Sequence, residues 1–363
     1  MTIPEGVAAP RTAPQTLLLP GVLDAEQAVA TVRSILAEQR PDGAIPWFTG
    51  GHLDPWDHTE AAMALDAAGE HAAADRAYQW LTDHQNPDGS WFAGYYGEGA
   101  PGVSNRAIET NFCAYVAVGV WHHHLATGDE EFLERMWPVV RRALDFTVGL
   151  QLPGGPIAWR LDEDGQAVDE ALLTGSASIL HALRCGLAIA DYREEPQPDW
   201  ELATGRLQHA VAAHPERFLD KGRYSMDWYY PVLGSALRGP AALARIEADW
   251  ARFVVPGLGV RCVSDRPWVT GGESAELALA LWAVGESDRA VEILRWIQHL
   301  RHQDGSYWTG YVFEDDAIWP EEQTTWTAGA LLLAVAALGG DPATVAVFGA
   351  ADLPDGLAAE ACC

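Results

Sequence analysis

Carboxylates open the apolar segments of this chain repeatedly: Asp54, Asp57 and Glu60; Glu109; Asp227; Glu273 and Glu276; Glu321 and Glu322. Aromatic side chains crowd the same places, among them Trp47, Trp56, Tyr95, Tyr96, Trp228, Tyr229, Tyr230, Trp268, Trp308, Tyr311, Trp319 and Trp326. Carboxylates accept hydrogen bonds from hydroxyls, and aromatic faces stack on the C–H side of a sugar ring. Such a lining suits a neutral, polyhydroxylated ligand. Two carboxyl groups flanking one glycosidic bond can also cleave it, at a separation of about 5–5.5 Å for retention or about 6.5–9.5 Å for inversion. The plain alternative is that an acid in a first helical turn is favoured anyway, by about 0.3–1 kcal/mol. Taken singly, each acid reads as a helix-start residue. Their recurrence at equivalent positions reads as a binding site.

The elements that would position these groups come from an internal repeat. Gln39-Arg40-Pro41-Asp42-Gly43, Gln85-Asn86-Pro87-Asp88-Gly89-Ser90-Trp91 and Gln303-Asp304-Gly305-Ser306-Tyr307-Trp308 are copies of one phrase, and Gln151-Leu152-Pro153-Gly154-Gly155 is a weaker one. Each copy follows an amphipathic stretch, and a more apolar helix comes after it. The spacing predicts amphipathic helices over 24–38, 71–84, 129–150, 198–213, 240–253 and 287–300. More apolar helices are predicted to begin near Asp57, Glu109, Thr174, Asp227, Glu273 and Glu322. A helix with one apolar stripe has water on its other side, and a helix apolar nearly all round is enclosed. Six of each make an all-α (α/α)6 toroid of six helical hairpins. One domain is expected over 1–363, with a flexible segment 1–20 and a fraying tail 340–363. Short hairpins near 91–97 and 307–313 are the only β structure expected.

In such a ring the inner helices start at one end, around a common mouth. Asp57 and Glu273 open the first and fifth inner helices, two steps apart round the ring. With neighbouring axes about 10 Å apart, that chord is about 17 Å, and side chains reaching inward leave a gap in the inverting range. Gly271 and Gly272 let the backbone before Glu273 approach a ligand closely. For this pair, catalysis and plain helix-start placement stand about level. Asp227, then Glu109 with Asn111, are the next candidates. His122-His123-His124 point in three directions on a helix, which is poor metal geometry, and the acids around 314–322 read as a solvated loop.

Composition narrows the function classes. The chain has 23 Lys and Arg against 51 Asp and Glu, a formal charge of −28. That field repels phosphate backbones and anionic lipid, so no nucleic-acid or membrane partner is expected. Five cysteines without a CxxC pair argue against a disulfide scaffold or zinc ribbon. No metal or organic cofactor is expected. No secretory signal is evident, no apolar run is read as long enough to span a membrane, and a cytoplasmic location is expected. Sixteen tryptophans in 363 residues call for stacking surfaces beyond an ordinary core.

Two resemblances follow. The helix and Gln-x-Pro-Asp-Gly-Ser-Trp phrase over Tyr78 to Trp91 and Ile293 to Trp308 is similar to the repeat of terpenoid cyclases and prenyltransferase β-subunits. Their Asp-rich and zinc signatures are missing, as is a basic funnel for diphosphate. The stretch from Asp54 to Leu65, with Thr270-Gly271-Gly272-Glu273-Ser274-Ala275-Glu276, resembles the actinobacterial (α/α)6 methylmannose polysaccharide hydrolases over most of the chain. That resemblance implies an endo-acting α-1,4-mannan hydrolase with Asp57 and Glu273 as its acid and base, in either order, and Asp54 or Glu276 as nearest substitutes. It implies an oligosaccharide or polysaccharide substrate. The expected binding set is Trp47, Asp54, Trp56, His58, Tyr95, Glu109, Asn111, Asp227, Trp228, Tyr229, Trp268, Glu276, Trp308, Tyr311, Glu322 and Trp326. The competing expectations are a terpenoid cyclase or prenyl-transfer enzyme, a sugar epimerase or isomerase, and a non-catalytic carbohydrate-binding toroid.

Overall fold

The computed structural model describes residues 13–96, 102–162 and 164–357. In chain order the helices are α1 (Ala25–Glu38), α2 (Pro55–Ala67), α3 (His71–His84), α4 (Thr110–Ala114), α5 (Val116–Thr127), α6 (Glu130–Val148), α7 (Leu173–Tyr192), α8 (Pro198–Ala213), α9 (Ser225–Leu233), α10 (Gly239–Phe253), α11 (Gly271–Ala283), α12 (Ser287–Trp296), α13 (Thr325–Gly339) and α14 (Pro342–Gly349). The inner ring runs α2, α4–α5, α7, α9, α11 and α13, and α13 packs back on α2 to close it. The outer helices are α1, α3, α6, α8, α10 and α12. Apolar periodicity therefore marks the two layers, an (α/α)6 toroid. The fourth inner helix is short, and the second is broken at Tyr115.

The repeated phrase is an architectural latch. Gln39 Nε2 donates to the carbonyls of Gly43 and Ala73, Gln85 to those of Gly89 and Val139, and Gln151 to those of Gly155 and Ala203. Each glutamine thus ties its own turn to the next outer helix. The turn glycines Gly43, Gly89, Gly155 and Gly305 have φ between +95° and +107°. A Cβ on the first three would meet the backbone carbonyls of Arg76, Arg142 and Arg206 at 2.1–2.4 Å. Gly305 lies equally tight against Ala30 of α1, so the last turn docks on the first helix. Only glycine combines that φ with that approach.

Three expectations need correcting. A five-stranded antiparallel sheet, order β3-β4-β5-β6-β7, joins Val254–Val255, Gly259–Arg261, Trp268–Thr270, Gly310–Val312 and Ala317–Ile318. Strands of two or three residues are too short to show alternation. A separate pair, β1 (Gly94–Tyr95) with β2 (Val103–Asn105), falls where a hairpin was expected. The expected tail contains α14, which packs across α5, α11 and α13 with Ala343, Thr344, Val347 and Phe348 buried. Residues 1–12 and 358–363 lie outside the described part, whereas Leu17 is fully buried. Finally, α7 is long and apolar enough to span a membrane, but it is a core helix, 94% buried within the ring.

Candidate active site

Asp57 and Glu273 are each the third residue of an inner helix, α2 and α11, and those helices flank α13. Small residues draw the three helices together. A Cβ on Gly271 would meet Thr327 of α13, one on Gly272 would sit 1.7 Å from the Trp326 ring, and Gly329 of α13 lies against Ala61 of α2. The start of α11 is fixed by the sheet. β5 runs directly into it, and Ser274 Oγ accepts from the Val260 amide while donating to the Thr270 carbonyl.

Asp54 is the N-cap of α2. Its carboxylate accepts from the amides of Trp56 and Asp57 at 2.9 and 3.0 Å and from Trp47 Nε1 at 2.8 Å. With Pro55 at the first helical position, this is a complete helix start. The Asp57 carboxyl takes no part in capping the helix; it shares a side-chain hydrogen bond with Asp54 that favours its protonated form. It is enclosed by protein but keeps a solvent-accessible edge. Burial first, then the charges of Asp54, Glu60 and Glu276, hold its carboxyl well above the usual range. Glu60 is buried one turn below and raised by the same kind of crowding, with Glu276 and Asp54 as its charged neighbours.

Glu273 is 6% exposed, and its Oε2 is buried with no hydrogen-bond partner among the described residues. The Cys262 thiol lies against it and is pushed up, first by burial and then by the charge of Glu273. Glu276, one turn further along α11, is fully committed. It accepts from the Tyr229 hydroxyl and, at 2.5 Å, from the Tyr230 hydroxyl. Burial pushes its carboxyl up to about 7 against those two donors.

The aromatic lining near the pair is narrower than expected. Trp47 and Trp326 lie 6.2 Å apart at the start of α13. Trp56 packs against Phe112, Tyr115 and Tyr230. Glu109 caps α4 near Asp54, and burial raises its carboxyl to about 7. Asn111 is buried and faces Gly175 at the start of α7. Tyr230 and Tyr115, absent from the expected binding set, belong to this cluster, as does Glu60. The i, i+3 spacing of Asp57 with Glu60, and of Glu273 with Glu276, puts each pair on one helix face and was the signal for Glu60.

Other expected residues are spent elsewhere. His58 accepts from the Ile45 amide and donates to the Ala77 carbonyl, and burial lowers its pKa to about 4, so it ties α2 to α3 as a neutral ring. The Tyr95 hydroxyl accepts from the Phe92 amide, and its ring packs edge-on to Trp80. Asp227 accepts from the Thr174 amide and hydroxyl, joining α9 to α7. Trp228 stacks outward on Phe253 of α10 and donates to the Arg245 carbonyl. Trp228 thus faces the outer layer, while Tyr229 and Tyr230 turn inward to Glu276. Trp268 donates to the Trp319 carbonyl, and Tyr311 to Asp316. Trp308 and Glu322 line a groove of about 470 Å³ between α1 and the segment before α13.

With this geometry in hand, the comparisons with known proteins can be placed. No family model matches the chain. Over 350 residues, 95% of either chain, it is 55% identical to the MMP endo-(1,4)-3-O-methyl-alpha-D-mannosidase of Mycolicibacterium hassiacum. The chain belongs to that family of endo-mannosidases. Solved structures share its fold. A glycosidase in complex with glucose superposes with a TM-score of 0.69 at 19% identity, covering 87% of this chain and 96% of the other. A D-mannose isomerase gives 0.65 at 12% identity, covering 86% and 96%. At such identities the likeness speaks for the toroid alone. The family carries the glycoside hydrolase assignment.

Proposed function

We propose that this chain cuts internal α-1,4 bonds of an O-methylated mannose polysaccharide, with inversion, using Asp57 as general acid and Glu273 as general base. The observation that carries the assignment is the contrast between two carboxyls on either side of α13. One is raised well above the usual carboxyl range by burial and neighbouring charge, and the other has a buried oxygen with no hydrogen-bond partner among the described residues. In the reaction the Asp57 proton passes to the glycosidic oxygen as its bond to the anomeric carbon breaks. Glu273 takes a proton from the water that attacks that carbon from the opposite face. The three bonds that Asp54 accepts count against it as the acid, and the two phenol partners of Glu276 count against it as the base. Trp47, Trp56 and Trp326 offer faces for sugar C–H groups and for the added methyls. Under this reading enzyme and polymer share the cytoplasm.

The test uses methylmannose oligomers, with reducing ends counted and the anomer of the first-formed product read by NMR. Asp57→Asn and Glu273→Gln should each lower turnover by about 10²–10⁴-fold, and the new reducing end should appear first as the β-anomer. Near wild-type rate in either variant removes that residue from the chemistry. A first-formed α-anomer replaces inversion with retention.

A further inference from the structure

The geometry points to Glu276, clamped by Tyr229 and Tyr230, as a positioning residue that keeps the proton on Asp57. This rests on the general-acid role just given to Asp57. Glu276 is 4% exposed, and the two tyrosines are 0% and 2% exposed. Each phenol donates to a different oxygen of the one carboxylate. Two O–H donors on a buried carboxylate favour its ionised form and fix its orientation. Neither oxygen is left to hold a nucleophilic water. Burial still raises the carboxyl to about 7 against those donors, so it is above that pH that the clamp sets a negative charge beneath the mouth.

The clamp reaches the start of α2: the Tyr230 ring packs edge-on to Trp56, the residue before Asp57, with 5.5 Å between centroids. The ionisable groups facing the clamp and Asp57 are Asp54 and Glu60 from α2, Glu273 from α11, Tyr229 and Tyr230 from α9, Tyr115 between α4 and α5, and Cys262 after β4. His58 leaves α2 on the side of α3 and is neutral. α13 packs on both α2 and α11 and carries no ionisable side chain. The bases near this set are His52 beside Asp54 and Arg160 beside Glu109, whereas the Glu276 carboxylate itself is met by the two phenols. An anion placed there opposes ionisation of Asp57, as an acid catalyst working near neutral pH requires.

The test is the pH profile of kcat/KM on methylmannose oligomers, run on the full chain beside its thermal unfolding. In the wild type the alkaline limb reports loss of the acid's proton. Glu276→Gln removes the charge and should move that limb about one pH unit lower, about a tenfold loss of rate one unit above the new limb. Tyr230→Phe weakens the clamp without touching a carboxylate and should move the limb the same way by a smaller step. In the Glu276→Gln background it should add nothing. Should Glu276→Gln not fold, Tyr229→Phe and Tyr230→Phe carry the test by themselves. A limb that stays in place in these variants while the rate falls overturns the inference and leaves a purely structural clamp.

A parallel run with Asp57→Asn on an aryl glycoside, whose leaving group needs no acid, separates the two levels. Loss of the alkaline limb in Asp57→Asn together with an unmoved limb in Glu276→Gln defeats only the clamp's role. A limb that persists in Asp57→Asn defeats the acid assignment and the clamp with it.

Discussion

At the mouth of the ring, Asp57, Glu60 and Glu276 crowd one another beneath two tryptophans, and Glu273 keeps an oxygen uncommitted. At the other end the inner helices finish on histidines under α14. His123 bonds Asp66 through Nδ1 at 2.9 Å, His122 meets the Thr344 hydroxyl at 3.0 Å, and His181 stacks on Phe348. Both ends bury ionisable groups, with opposite consequences. Burial raises Asp57 and Glu60 above, so the folded state holds their protons more tightly than the unfolded chain does. His122 and His181 below are lowered by burial, His181 to about 3, so the folded state excludes theirs. The mouth trades stability for reactive carboxyls, whereas the closed end is packed and spends its polar groups on structure.

That contrast can be broken most sharply by exchanging roles. Asp57→Asn or Glu273→Gln should abolish most turnover yet leave the unfolding temperature at or above that of the wild type, since each removes a carboxyl from a buried, crowded group of acids. Phe348→Ala, at the closed end, should do the reverse. Loss of the buried ring costs about 3–5 kcal/mol of stability, read by urea unfolding, while the folded fraction keeps its kcat.

Two pH experiments sharpen it further. A carboxyl raised in the folded state contributes stability below its unfolded value, and that contribution is lost as pH rises through the folded one. Glu60→Gln should therefore raise the stability at pH 8 by on the order of 1 kcal/mol, read as a higher unfolding temperature, with little gain at pH 4.5. A histidine lowered in the folded state behaves oppositely, its contribution being lost as pH falls below about 6.5. His181→Met should flatten the loss of stability between pH 6.5 and 4, followed by circular dichroism. The smallest effect is expected at Asp227, placed here outside the mouth. Asp227→Ala should cost about 1–2 kcal/mol through its lost bonds to Thr174 and change kcat/KM by less than about twofold; a larger drop would put Asp227 back among the substrate contacts.

The ring itself was legible because its signals are local and repeated. The outer helices begin and end within a few residues of the positions read from apolar spacing, and Asp54-Pro55 announces the start of α2 by cap chemistry alone. The sheet was not legible. Its strands are too short for a period, and their pairing is set by α11 and the α12–α13 connection, which lie near them only in space. Candidate acids could be gathered at one end from topology, but their division of labour could not. Asp54 and Asp57, or Glu273 and Glu276, differ only in which donors reach them: Trp47 from the loop before α2, and Tyr229 and Tyr230 from another unit. For the same reason Trp228 and His58 looked like lining residues until their partners on α10 and α3 were seen.

The docking of Gly305 on α1 has a consequence for how the protein is made. The two acids lie far apart in the sequence, and the helix between them in space, α13, is made after both. Until it seats between its neighbours and the final turn grips the first helix, a growing chain holds an open arc with an apolar seam and no reactive centre. Catalytic competence should therefore arrive in one late, cooperative event, and an early stop before α13 should yield an inert, aggregation-prone fragment with no partial activity.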